Sequence, residues 1–264
     1  MNHKLSIPRI VTIRGTLAAA ALAAASVTSW ALPAFTISPA AAGLAGSTVS
    51  GDNFIISDFS TTLVTGNTFS EQGFLAVRSL ELLGDVTEAF GPSSSYGLYI
   101  AFSATGTLTS ATSGQFNTLT YTLYGYNGTQ ARFGFSGNTT TVSQSGVPLT
   151  TATALAAGKL VSGTLSSTNG APSANAFVTF TPTGAGVGFF ASPTPFYTTT
   201  ETSFTNTLSE VTPITGGFRI RQGGGSFNFF SSNSVSTVSE PETYALVLMS
   251  LAAMGFAISR RRPR

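Results

Sequence analysis

Gly97-Leu98-Tyr99-Ile100-Ala101-Phe102-Ser103-Ala104-Thr105-Gly106-Thr107-Leu108 places Leu98, Ile100, Phe102 and Ala104 at every second position. That is the period of a strand with one buried face, because successive side chains leave a pleated backbone on opposite sides. Residues 117–126 repeat the pattern, with Leu119, Tyr121 and Leu123 alternating against Thr118, Thr120, Thr122 and Tyr124. Outward from this pair, residues 53–58, 131–135, 177–181, 187–191, 217–221 and 226–230 are further strand candidates. Gly91-Pro92, Asn127-Gly128, Ser136-Gly137-Asn138, Asn169-Gly170 and Gly223-Gly224-Gly225 supply turns between them. The one helical rival is 73–89, where Leu75, Leu80, Leu82, Leu83 and Val86 could line a short helix. Threonine and aromatic residues suit a half-buried pleated surface. The fold class expected is all-β, an antiparallel sandwich of jelly-roll type over residues 32–230.

Composition narrows the chemistry. The chain has 264 residues, no cysteine and one histidine, and only 8% of its residues are charged. A globular surface usually carries about one charged residue in four, yet 21 Phe and 7 Tyr provide ample material for a core. Without cysteine there is no disulfide framework, thiolate metal site or thiol nucleophile. The net charge of +2 is set by the two ends. Between residues 32 and 239, Arg78, Arg132, Lys159, Arg219 and Arg221 face Asp52, Asp58, Glu71, Glu81, Asp85, Glu88, Glu201 and Glu210, a net of −3. No run or stripe of basic residues tracks a phosphate backbone, so nucleic acid is not an expected partner.

Both ends read as addresses. Residues 1–14 carry His3, Lys4, Arg9 and Arg14 without an acid, and an Ala/Leu run over 16–27 follows. Ser29-Trp30-Ala31 then offers small residues for cleavage after Ala31, so 1–31 is expected to be a signal peptide with a helical apolar segment. At the other end, Glu240-Pro241-Glu242-Thr243 precedes the uncharged residues 244–258 and the cluster Arg260-Arg261-Arg262-Pro263-Arg264. A helix over 242–259 would reach about 27 Å, near the thickness of a bilayer core. Arg260, Arg261, Arg262 and Arg264 would hold its end in the cytoplasm. The residues alone fit a single-pass anchor as well as a processed signal. Residues 231–239, rich in Ser, read as a linker.

Residues 240–264 resemble the PEP-CTERM sorting domain: a Pro-Glu-Pro motif, a hydrophobic helix and a terminal arginine cluster. Here Ser239 replaces the first proline, so the motif reads Ser239-Glu240-Pro241-Glu242. The resemblance implies processing by an exosortase-type enzyme, with the membrane as a partner through the C-terminal helix beforehand. A looser resemblance covers the domain. Phe35-Thr36-Ile37-Ser38-Pro39, Asp52-Asn53-Phe54-Ile55-Ile56-Ser57-Asp58-Phe59, Glu71-Gln72-Gly73-Phe74-Leu75 and Gly223-Gly224-Gly225-Ser226-Phe227-Asn228-Phe229 are similar to flocculation-associated PEP-CTERM proteins. This implies an exported cell-surface or extracellular-matrix protein that makes cells aggregate in exopolysaccharide.

The residues past position 31 limit catalysis. No histidine or cysteine remains for a Ser-His-Asp triad, a Cys-His dyad or an imidazole zinc site. Lys159 has Ala156 three residues before it, not serine, and Gly223-Gly224-Gly225 opens no helix. No catalytic residue and no cofactor is assigned, and a non-enzymatic protein is the leading expectation. A secreted hydrolase would need paired carboxylates, from Asp52 with Asp58 or from Glu81 with Asp85 or Glu88. The same acids, with Asn53 and Ser57, are hard oxygen ligands, so a calcium- or carbohydrate-binding module is a further alternative, with Asp52, Asp58, Glu81 and Asp85 as weak metal candidates. Self-association is expected through poorly guarded strand edges at 117–126 and 227–230.

Overall fold

The computed structural model describes residues 32–230 except 129, 137, 138, 147 and 148. The strands in chain order are β1 (Phe35–Ile37), β2 (Val49–Gly51), β3 (Asn53–Thr65), β4 (Thr68–Leu82), β5 (Asp85–Ala89), β6 (Tyr96–Leu108), β7 (Ser113–Asn127) and β8 (Arg132–Phe135). Then come β9 (Val142–Ser145), β10 (Thr153–Thr168), β11 (Ala171–Thr179), β12 (Thr181–Pro182), β13 (Phe190–Ser192), β14 (Thr199–Thr205), β15 (Val211–Ile214) and β16 (Gly217–Phe230). Asn169 and Gly170 join β10 to β11 with φ of 53° and 86°, as a two-residue hairpin turn requires.

Eight of these strands make one closed antiparallel barrel. Their order around the wall, β3, β4, β6, β7, β10, β11, β14 and β16, is their order along the chain, and β16 pairs back onto β3. The all-β expectation holds. The two packed sheets do not form, because a single sheet curls until its edges meet. A period of two shows which side chains are buried, but not whether they face a second sheet or the far wall of the same one. The strands are also long: β4 and β7 have 15 residues each and β10 has 16. Bulges interrupt the pairing of β3 with β4 at Ile55/Ile56, of β6 with β7 at Thr105/Gly106 and of β16 with β3 at Arg221/Gly223. Such bulges bend a strand and increase its twist, which favours closure.

Phe54, Ile56, Leu75, Leu98, Ile100, Tyr121, Leu123, Leu155, Val178, Phe227 and Phe229 fill the interior. At the end where β3 starts and β16 finishes, the small sheet β13-β1-β2 brings an aromatic plug. Ring centroids lie 4.7 Å apart for Phe35 and Phe229, 4.8 Å for Phe180 and Phe229, and 5.2 Å for Phe35 and Phe54. The two pairs with Phe229 are edge-to-face, at 73° and 89°, and such pairs contribute about 0.5–1.5 kcal/mol each beyond area burial. On the outside, the ribbon β8–β9 folds over the barrel wall, and Phe133 stacks on Phe74 at 4.8 Å and 18°.

Four expectations are corrected. Residues 73–89 are strands β4 and β5 rather than a helix, with Leu75 and Val77 buried inside the barrel. Residues 187–191 straddle a helical turn, Gly186–Phe189, and β13. Residues 217–221 and 226–230 belong to one strand, so Gly223-Gly224-Gly225 lies within β16 and not in a hairpin connection. Residues 117–126 lie in β7 between β6 and β10, and 227–230 lie in β16 beside β14 and β3, so neither is an edge. Barrel closure removes the edges expected at these two segments.

Candidate functional site

Of the acids singled out from the sequence, Asp58 stands apart from the others. Asp52 is buried, and its Oδ2 accepts a hydrogen bond of 2.9 Å from Leu83 N, holding the β4–β5 turn. Glu81, Asp85 and Glu88 sit on that same ribbon, Asp85 exposed and the other two half-buried. Asp58 is inside the barrel. The pair Asp52 and Asp58 therefore does not assemble, and no group of three or more His, Cys, Asp or Glu able to hold a metal occurs among the described residues. Ala31, Ser239, Glu240, Pro241, Glu242, Arg260, Arg261, Arg262 and Arg264 lie outside the described residues. Within those residues no helix is long and apolar enough to cross a membrane.

The structure brings Asp58 to a partner that the sequence reading counted only as a charge. Ser60 Oγ is 2.8 Å from Glu71 Oε1 and 3.1 Å from Asp58 Oδ2. In the β3–β4 register, Thr62 faces Glu71, Ser60 faces Gly73 and Asp58 faces Leu75. The signal was present in β3, whose inward stripe runs Phe54, Ile56, Asp58, Ser60, Thr62 and turns polar halfway. Burial and then the charge of Glu71 push Asp58 well above the ordinary carboxylate range, against the hydrogen bond from Ser60. Burial likewise raises Glu71. The cavity beside them is about 50 Å³, with Ile100, Phe102, Phe116 and Phe227 among its other walls. A few water molecules fit such a space; a pyranose ring does not.

The accessible site is outside. Where β8–β9 crosses the wall, Phe59, Arg78, Gln130, Arg132, Phe133 and Gln222 line a cleft of about 260 Å³. Arg78 Nε donates to Ser57 Oγ at 3.0 Å, and its guanidinium lies 6.0 Å from the Phe59 ring centre. Burial lowers the Arg78 pKa, with Tyr126 opposing. Gln130 is tied to Phe90 O at 3.2 Å, and Gln222 occupies the β16 bulge at φ 64°. Arg132 is exposed at the cleft mouth. No carboxylate of the described residues pairs with Arg78 or Arg132. Beside the cleft, Arg219 and Arg221 lie over the Phe135 ring at 5.1 and 5.4 Å. Four of the five basic residues of the domain thus gather around one ribbon. The sequence reading found no basic run because they come from β4, β8 and β16.

The wall formed by β6, β7 and β10 is instead uncharged apart from Lys159, and covered with hydroxyls. Thr105 and Thr118 hydroxyls are 2.7 Å apart, and Asn117 Nδ2 donates to Thr107 Oγ1 at 2.9 Å. Ser103 pairs with Thr120, and Ser166 with Ser113, across neighbouring strands. Hydroxyls occupy the positions where a membrane-spanning barrel carries its apolar band. Comparison of the chain with family models, with curated proteins and with solved structures finds no match in any of the three.

Proposed function

We propose that the chain is an exported cell-surface or extracellular-matrix protein that promotes cell aggregation in exopolysaccharide without catalysing a reaction. In this reading residues 1–31 direct export and residues 240–264 are handled by an exosortase-type enzyme after transient membrane insertion. The observation that carries the polysaccharide part is the outer cleft. Two guanidinium groups unmatched by carboxylates, two amides and two aromatic rings share a solvent-reachable recess. Guanidinium forks suit carboxylates, amides suit ring hydroxyls, and a phenyl face suits the apolar face of a sugar. The occupant is a carboxylate-bearing sugar unit of the matrix, and the hydroxyl-covered wall adds weaker contacts along the chain. The hydrolase reading is less well supported, because Asp58 and Glu71, the two carboxylates that share the Ser60 hydroxyl, border a space too small for sugar.

A charge-assisted hydrogen bond contributes about 1.5–3 kcal/mol, so Arg132→Gln should weaken retention on acidic polysaccharide roughly 10- to 100-fold at low salt. Arg132 is exposed, and the substitution leaves folding intact. Co-sedimentation of purified protein with polysaccharide, together with settling of a deletion strain carrying parent or variant, measures both effects. Equal retention and equal settling for the two proteins would refute the cleft as the sugar site.

A further inference from the structure

Two glycines let neighbouring groups close in on the polar half of the barrel interior. Gly73 of β4 is registered opposite Ser60, and Gly223 of β16 opposite Asp58. A methyl group at 73 would lie 2.7 Å from Ser60 Cα and Cβ, and one at 223 would lie 1.8 Å from Asn206 Oδ1. Both strands flanking the carboxylates thus lack a side chain where one would collide with Ser60 or with Asn206. Asn206 Nδ2 is committed to Pro172 O at 2.8 Å, which turns Oδ1 toward Gly223, on the strand position facing Asp58.

The oxygens gathered there outnumber the hydrogens. A seryl hydroxyl has one hydrogen to donate, and both Asp58 and Glu71 approach that of Ser60. Asp58 Oδ1, Asn206 Oδ1 and Thr202 Oγ1 are buried without a hydrogen-bond partner. Their residues are only 3%, 6% and 6% exposed, and all three line the same cavity. Carboxylate and amide oxygens only accept, so a dry arrangement of this kind is costly until a positive centre enters. An all-oxygen donor set selects a hard cation, and two carboxylates balance a divalent one. Calcium accepts six to eight oxygens in irregular geometry, whereas magnesium demands a near-ideal octahedron. Thr62 and Ser173 add hydroxyls to the lining, the rest of the wall is largely apolar, and about 50 Å³ leaves room for one ion with a water or two.

We propose that the barrel interior binds one divalent cation of calcium type, held by Asp58 and Glu71 with Asn206 and Thr202 in the cavity that all four line. The site is independent of the outer cleft. The competing occupant is a proton, which would make Asp58 a neutral acid.

The test uses the full chain, stripped with EDTA and held at about pH 7.5. Equilibrium dialysis against CaCl₂ should show one ion per chain at extracellular calcium levels of about 0.1–1 mM, with a higher melting temperature than in EDTA and a smaller rise in MgCl₂. Asp58→Asn and Glu71→Gln should each weaken binding about 100-fold. Without calcium, Asp58→Asn should melt above the parent, because it removes a buried charge beside Glu71. No bound calcium and no melting shift in the parent overturns the proposal, whether or not the variants fold. So does undiminished binding in both variants, which would place the ion elsewhere.

Discussion

Replacing Gly73 by alanine tests whether the β3–β4 wall is as closely packed as the structure shows. The added methyl would meet Phe59 O at 2.3 Å as well as Ser60 Cα and Cβ at 2.7 Å. The first two are backbone atoms, so no rotamer change relieves the contact, and β3 must move away from β4 over their longest shared register. Overpacking costs about 1–3 kcal/mol where side chains can adjust; here the upper end, about 3 kcal/mol, is expected. Gly134 in β8 is the control, since a methyl there meets nothing within 4 Å and its backbone is not left-handed. Gly134→Ala should be neutral or stabilising by about 0.4–1 kcal/mol, through the unfolded chain. Urea unfolding followed by tyrosine fluorescence measures both, and equal slopes for parent and variants show that the same surface unfolds. A Gly73→Ala protein within about 1 kcal/mol of the parent would refute the claimed close approach of the two strands.

The carboxylates inside the barrel give a pH dependence of unusual sign. Groups whose native pKa is raised bind more protons folded than unfolded, so their contribution is most favourable below the ordinary carboxylate value near 4 and declines as pH rises through the raised native values. In EDTA the parent should therefore melt at falling temperature from about pH 5 to pH 8, and Asp58→Asn should flatten the trend; a melting temperature that climbs with pH in EDTA would contradict it. Lysines at Thr118 and Thr120 should leave the oligomeric state unchanged on size-exclusion chromatography, because β7 has a partner on both sides; dissociation of an assembly by those lysines would show that the wall itself is an interface.

The strands at 97–108 and 117–126 were legible because their alternation is unbroken and neighbouring bulges are few; they fall within β6 and β7. The Asn169-Gly170 turn was legible because its chemistry is local. Closure was not, since it depends on β16 reaching β3 across most of the chain. Gly223-Gly224-Gly225 looked like a connection because glycine is usually punctuation. Here Gly223 sits in a wall, and its missing side chain leaves space that Asn206 fills. Asp58 was visible as a candidate, but its partner depended on a register fixed by the tight turn between Thr65 and Thr68, and on a glycine opposite Ser60. The arginine cleft was invisible for the same reason, its residues being distant in sequence and joined only by the ribbon β8–β9.

The side-by-side placement of β3 and β16 has a mechanical consequence. Phe230 ends a strand held along its length by β14 and β3, at the plugged end of the barrel. A load applied beyond Phe230 and directed along β16 would strain those two ladders in shear, many bonds sharing it at once, whereas a terminal hairpin would peel open bond by bond. In the proposed role, a barrel gripped at its outer cleft and pulled from that strand would resist extension as a rigid link.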